Sequence, residues 1–210
     1  MVNKTNEYKM TSPLPPFPTE KLRNCRILLA SASPRRRELL ALILPEFSIA
    51  TTREIDESYP AELAADKVPE YLAKLKSEAY TDLLTEDVIL ITADTVVITD
   101  GVILGKPHDP EEAKSMLNKL QGKNHIVVTG VCISDIRRSI SFSEKTEVHF
   151  GELSDDEISR YVEIYRPLDK AGAYGIQEWI GAAGIKGIDG CFYNVMGLPL
   201  HSLYRELKNF

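Results

Sequence analysis

RILLASASPRRRELLALIL, residues 26–44, changes its period halfway along. The first five residues are a short apolar run of strand character, whereas beyond Ser33-Pro34 the apolar residues Leu39, Leu40, Ile43 and Leu44 recur at helical spacing. Ser33 suits the N-cap and Pro34 the first helical position, so the stretch predicts strand, turn, helix. The same turn aims the free N–H groups of a helix start outward beside Arg35, Arg36 and Arg37, with the hydroxyls of Ser31 and Ser33 close by. Guanidinium forks and backbone N–H groups together suit a phosphate. A well-capped surface helix with solvated arginines accounts for these residues equally well.

Downstream, EFSIATT (Glu46–Thr52) reads as a second strand, and the acidic segment Arg53–Ser58 leads into a helical stretch from about Ala61 to Leu84, with Pro69 as its weak point. DVILITADTVVITDGVILGKP predicts a buried strand at Val88–Thr92, another at Val96–Thr99, and a hairpin turn at Asp100-Gly101. Pro110, Glu111 and Glu112 open a helix. HIVVTGVCISDI and RRSISFSEKTEVHF pair as a hairpin around Asp135–Arg138, and Ser154 with Glu157 has the spacing of a capping box for a helix to about Tyr165. A final helix follows in LPLHSLYRELKNF. Interleaved strands and helices without a repeat predict a mixed α/β fold. Residues 1–24 are polar and carry four prolines within Pro13–Pro18, so they read as an extension outside the core, with residues 25–210 as one continuous domain.

The chain has 210 residues, 43% hydrophobic and 27% charged, with 25 Lys plus Arg against 31 Asp plus Glu and a formal net charge of -6. That balance disfavours polyanion and acidic-membrane partners, so an anionic substrate needs a local basic cluster or a metal ion. No apolar run approaches the length of a membrane span, and no signal-peptide core stands at the N-terminus, which makes the cytoplasm the expected location. Cys25, Cys132 and Cys191 are far apart among apolar neighbours and read as buried thiols; the four histidines show no zinc spacing. The P-loop and G-x-G-x-x-G signatures are missing.

Carboxylates at strand ends are the second chemical feature. Asp94 follows the apolar run VILITA, while Glu54, Asp56 and Glu57 lie on a loop after an earlier strand. Two such strand ends can bring Glu57 and Asp94 together around a hard cation such as Mg²⁺. Lys76, Lys106 and Lys170 each offer a point charge to a phosphate, and Tyr174-Gly175-Ile176-Gln177 ends in an amide able to read a nucleobase edge. Each of these residues also fits an ordinary surface or turn role.

Together SASPRRRELL (Ser31–Leu40), IDES, LAKLKSEA, ADTVV (Ala93–Val97), LGKP (Leu104–Pro107), DKAGAYGIQ (Asp169–Gln177) and NVMGLPL (Asn194–Leu200) resemble the Maf family of nucleoside triphosphate pyrophosphatases, in family order and over about residues 26–210. The resemblance implies an elongated, strongly twisted mixed sheet flanked by helices, in two lobes with a central cleft, and a homodimer. It implies metal-dependent hydrolysis, with Mg²⁺ or Mn²⁺, of a nucleoside triphosphate to the monophosphate and pyrophosphate. By motif position, Ser31, Ser33, Arg35, Arg36, Lys76 and Lys106 would hold the phosphates. Glu57 would take part in metal binding, and Asp94 matches the catalytic base, or a metal ligand that orients the attacking water; these two are the metal positions. The ADT and GIQ forms resemble the branch that prefers dTTP and UTP, whose specificity positions match Arg35, Thr95 and Gln177. Removal of modified pyrimidine nucleotides is one role this implies, and a nucleotide-binding regulator of cell division with little turnover is the alternative. Neither involves nucleic acid or membrane.

Overall fold

The computed structural model describes residues 16–210. Its frame is a seven-stranded mixed sheet: β1 (Arg26–Leu29), β2 (Ser48–Ile49), β3 (Val88–Thr99), β4 (Val102–Leu104), β5 (Asn124–Ser134), β6 (Ser139–Phe150) and β7 (Ile185–Asp189). The order is β2-β1-β3-β5-β6-β7, with β4 beside β3. β1 is parallel to both β2 and β3, and every other pairing is antiparallel. Eight α-helices flank the sheet: α1 (Glu20–Arg23), α2 (Pro34–Ala41), α3 (Val68–Glu78), α4 (Pro110–Leu120), α5 (Asp155–Tyr165), α6 (Trp179–Gly184), α7 (Phe192–Met196) and α8 (Leu200–Asn209).

β3 is one strand of twelve residues where the sequence predicts two. Its ladder with β5 runs unbroken from Leu90 to Ile98, so the polar Ala93-Asp94-Thr95 keeps its backbone partners on that side. On the other edge the pairing is interrupted: β1 leaves β3 at Ile91, and β4 joins it at Val97. The gap between these two partners is where the cleft opens.

Three apolar clusters meet along this strand. Ile89, Ile91 and Ala93 face a cluster built with Leu29, Leu39, Leu40, Leu203 and Leu207, whereas Val97 belongs to a second cluster with Leu117, Val148, Tyr161 and Ile180. The alternate side chains Val88 and Leu90 pack with Leu28, Ala50 and Tyr80. Such period-two alternation with both faces covered is the mark of a central strand.

α3 covers the sheet closely because of Gly130 on β5. A Cβ there would stand 2.3 Å from the backbone of Pro69 and Glu70. The helical stretch expected over Ala61–Leu84 is thus shorter, with 3₁₀ turns at Ala65–Lys67 and Thr81–Leu83, and Pro69 opens α3 instead of interrupting it. A first-turn proline sacrifices no helical hydrogen bond. The expected strand at Glu46–Thr52 reduces to Ser48–Ile49. The hairpin at Asp135–Arg138 and the capping box of Ser154 and Glu157 stand as expected.

Of the extension expected over residues 1–24, residues 1–15 lie outside the described part. The remainder is not outside the core. Thr19 caps α1, Leu22 is fully buried and Phe17 packs against the same cluster as Leu29. Burying a leucine is worth roughly 2 kcal/mol, which draws this segment onto the domain. Cys132 is buried as expected, but Cys25 and Cys191 are only partly covered.

Candidate functional site

The cleft at the open edge of β3 encloses about 310 Å³. Ser31, Ser33, Arg35, Arg36, Glu57, Lys76, Asp94, Thr95, Lys106 and Gln177 all line it. Residues singled out from six separate stretches of sequence therefore meet in one place.

The turn between β1 and α2 forms as its sequence predicts. Ser33 Oγ accepts the Arg36 N–H at 3.5 Å, and Ser31 Oγ accepts the Ser33 N–H at 3.2 Å. The two arginines of this turn then part company. Arg36 turns inward, donating from Nε to the Gly197 carbonyl (2.8 Å), from Nη1 to the Ala93 carbonyl (2.8 Å), and from Nη2 to Thr95 Oγ1 (2.9 Å). The Ala93 carbonyl lies in the gap between β1 and β4, so a guanidinium replaces the missing strand partner there. Burial pulls the Arg36 pKa below its ordinary value, while the carboxylates of Asp94 and Glu57 act in the opposite sense. Four of its five N–H donors are engaged if the 3.5 Å contact to Ser31 Oγ is included. Arg35 instead faces the far wall, where its Nη1 meets Asp169 Oδ2 at 2.6 Å.

Lys76 sits between two carboxylates. Its Nζ lies 2.6 Å from Asp94 Oδ1 and 3.0 Å from Glu57 Oε1. α3 delivers it from the same side of the helix as the buried residues Leu72, Ala73 and Ser77, and Thr92 Oγ1 donates to the Ala73 carbonyl at 2.6 Å, locking that helix to β3 beside Asp94. The loop bearing Glu57 is tied at its start by Arg53, whose guanidinium chelates Asp82 (2.6 and 2.8 Å) and lies 4.7 Å from the Tyr80 ring centroid. Thr95 points to the opposite face from Asp94, and its hydroxyl shares a hydrogen bond with Thr129 at 2.9 Å. Thr129 in turn donates to the carbonyl of the buried Asn194.

The far wall is the segment Asp169–Glu178. Lys170, read from sequence as a point charge for a phosphate, is buried instead. Its ammonium bridges Asp169 Oδ1 (2.8 Å) and Glu178 Oε1 (3.1 Å). Burial raises the Asp169 pKa, but hydrogen bonds from Lys170 and Arg35 outweigh it and hold the carboxyl below its ordinary value. Lys106 and Gln177 are exposed on the cleft rim. Asp169, Glu178, Tyr161, Thr129, Asn194 and Arg53 were not singled out from sequence as site residues. Apart from the Asp169–Lys170 pair, the ion pairs of the far wall reach across 8 to 134 residues, and no local pattern announces them.

A β-strand, a capped helix start, a lysine held between carboxylates and a polar far wall around one cleft are the features of an α/β protein that handles a polyanionic small molecule. Residues 26–210 match the family of Maf-like proteins, and the chain belongs to that family. The dTTP/UTP pyrophosphatase of Porphyromonas gingivalis is 54% identical over 193 residues, 91% of this chain and 97% of its own. The dTTP/UTP pyrophosphatases of Phocaeicola vulgatus and Bacteroides thetaiotaomicron are 51% and 50% identical, over 90% and 87% of this chain and 98% and 95% of theirs. Among solved structures, a nucleoside-triphosphatase / dITP/XTP pyrophosphatase from Mycobacterium abscessus covers 61% of this chain and 75% of its own at a TM-score of 0.37 and 11% identity, too slight a likeness to bear on the site.

Proposed function

We propose that this chain hydrolyses dTTP and UTP between the α and β phosphates, releasing the nucleoside monophosphate and pyrophosphate. The observation that carries the reading is the Lys76 ammonium lodged between Asp94 and Glu57 on the wall of a cleft rimmed by Arg35 and Lys106. Relatives named for this activity, matched over nine-tenths of the chain, support it.

The residues fit a divalent cation of the Mg²⁺ or Mn²⁺ kind. Among the described residues no group of three His, Cys, Asp or Glu side chains forms a metal cage. Mg²⁺ needs none, since it takes one or two carboxylates with waters and substrate phosphate oxygens. Lys76 already marks a point where two carboxylates favour positive charge. Glu57 would hold the metal, with Asp94 beside it, and the metal would supply charge neutralisation at the phosphates.

The protein's own groups do the rest. Asp94, with Oδ1 held by Lys76, accepts a proton from water on its second oxygen as that water attacks the α phosphorus. The bond from the α phosphorus to the bridging oxygen breaks, and pyrophosphate leaves with its charge met by Arg35, Lys106 and the N–H groups at the start of α2. Arg36 holds the turn that presents Ser31 and Ser33 to the phosphates. Thr95 and Gln177 act in base selection, with Arg35 setting the phosphate register.

No helix among the described residues is long and apolar enough to cross a membrane. A cytoplasmic nucleotide pool is the natural source of this substrate, and a homodimer is the assembly the family resemblance implies, measurable by light scattering. The decisive experiment incubates the purified chain with normal and modified nucleoside triphosphates, in Mg²⁺, Mn²⁺ or EDTA, and separates pyrophosphate from single phosphate. Metal-dependent pyrophosphate release led by dTTP and UTP is the expected result. Single phosphate release overturns the bond assignment, a lower KM for methylated pyrimidines favours removal of modified nucleotides, and tight binding without turnover favours a nucleotide-binding regulator.

A further inference from the structure

The far wall carries a group of buried polar side chains that the proposed reaction does not use. Glu178 stands at its centre, 16% exposed, with Oε1 on the Lys170 ammonium at 3.1 Å and Oε2 accepting the Tyr161 hydroxyl proton. Tyr161 reaches down from α5, is fully buried, and accepts the Gly175 N–H at 3.1 Å. The segment Asp169–Glu178 is thus tied at its start through Lys170, in its middle through the Gly175 backbone, and at its end through Glu178 itself. Gln177 lies inside this closed loop. A Cβ at Gly175 would stand 2.9 Å from Gln177 Nε2 and 2.9 Å from Glu178 Cδ, so the amide and the carboxylate are both folded back against the same glycine. Gln177 is exposed, and among the described residues its direction follows from its backbone, set between Gly175 and Glu178, and from this approach to Gly175.

We infer that Glu178, clasped by Tyr161 and Lys170, is a positioning residue for base selection: it sets the direction of Gln177 at the cleft rim, so that discrimination among nucleobases depends on side chains that never touch the base. The inference rests on the proposed nucleotide reaction. A site that reads a base by hydrogen bonds discriminates only as well as its donors and acceptors are held in place, and a freely swinging amide serves several base edges alike. Tyr161 is suited to hold the clasp shut over a wide pH range, because burial and the hydrogen bond to Glu178 push its phenol well above the ordinary value and keep its proton on.

Tyr161→Phe removes one hydroxyl and Glu178→Gln keeps the side-chain shape while weakening the tie to Lys170. kcat/KM for UTP, dTTP and CTP is measured in both variants and the parent. The expected outcome is a fall of about tenfold in the preference for UTP over CTP, with kcat on UTP within about threefold of the parent, since loss of a single positioned hydrogen bond costs discrimination of that order. Equal losses on all three nucleotides, with the ratio unchanged, overturn the inference. The sole tryptophan, Trp179, follows Glu178 and has its ring centroid 6.5 Å from that of Tyr161, giving a readout independent of turnover. UTP and CTP should change its fluorescence differently in the parent and alike in Tyr161→Phe. If the parent releases no pyrophosphate yet shows the base-dependent change, the reaction fails and the clasp stands. If it binds both nucleotides with the same signal and affinity, the clasp fails whatever the reaction.

Discussion

The two walls of the cleft are built on different plans. The wall carrying Ser31, Arg36, Lys76 and Asp94 is made from a capped helix start, a sheet-facing helix row and a central strand, elements whose directions are set by regular backbone hydrogen bonding. The wall from Asp169 to Glu178 has no strand and only the 3₁₀ turn at Ala171–Ala173, and side-chain ion pairs hold it in shape. A rigid wall suits the proposed chemistry of a constant triphosphate, and a wall tied by a few side-chain contacts suits the proposed discrimination of one base from another. Arg35 and Asp169 join the two across the opening.

The largest effect expected from breaking this contrast is at Asp94. Asp94→Asn should lower kcat by about 10² or more while leaving thermal unfolding close to the parent, since one neutral isostere removes the proton acceptor without altering shape. A variant retaining near-normal turnover removes Asp94 from the mechanism.

Acid should act on the second core, which supports the far wall. His125 is 2% exposed, its Nε2 paired with Tyr174 at 2.7 Å, and burial lowers its pKa from 6.5 to about 4. The unfolded chain therefore takes up a proton that the folded one refuses as pH falls below 6.5. Stability should decline between pH 6.5 and about 4, by at most about 3 kcal/mol, and His125→Gln should flatten that decline in urea titrations at pH 7.0, 5.5 and 4.5. Parallel curves for the two proteins would place the acid sensitivity elsewhere.

Arg36 sharpens the comparison on the rigid side. Arg36→Met strips hydrogen bonds from the Gly197 and Ala93 carbonyls and from Thr95, and should cost about 2 kcal/mol of stability as well as turnover. An unchanged melting temperature would make it a phosphate ligand only. Arg35→Ala should do the reverse, lowering kcat/KM by about tenfold with little change in melting, because its ion pair lies at the partly exposed mouth. If kcat/KM holds, Arg35 contributes to neither wall.

How far each wall was legible in sequence follows from these plans. Ser33, Pro34 and the three arginines announce a capped, basic helix start because capping operates over three residues, and Asp94 stands out as a charge at the end of an apolar run. Even here the unbroken β3 was hidden, since the ladder that carries Asp94 and Thr95 through the sheet belongs to β5, more than thirty residues away. Arg35 and Arg36 look equivalent in the chain, yet one fills a gap in the sheet edge and the other crosses the cleft. Lys170 reads as a surface lysine until Asp169 and Glu178 close around it.

Capping, turn chemistry and hydrophobic period act between near neighbours, so the chain alone dictates many of its elements, the mixed α/β class and the basic turn at residues 31–37. Which charges are buried, which arginine crosses the cleft, and how the far wall is tied depend on where other elements come to rest. Those outcomes belong to packing: a buried ion must find its partner wherever the fold supplies one, and near neighbours in sequence do not decide that.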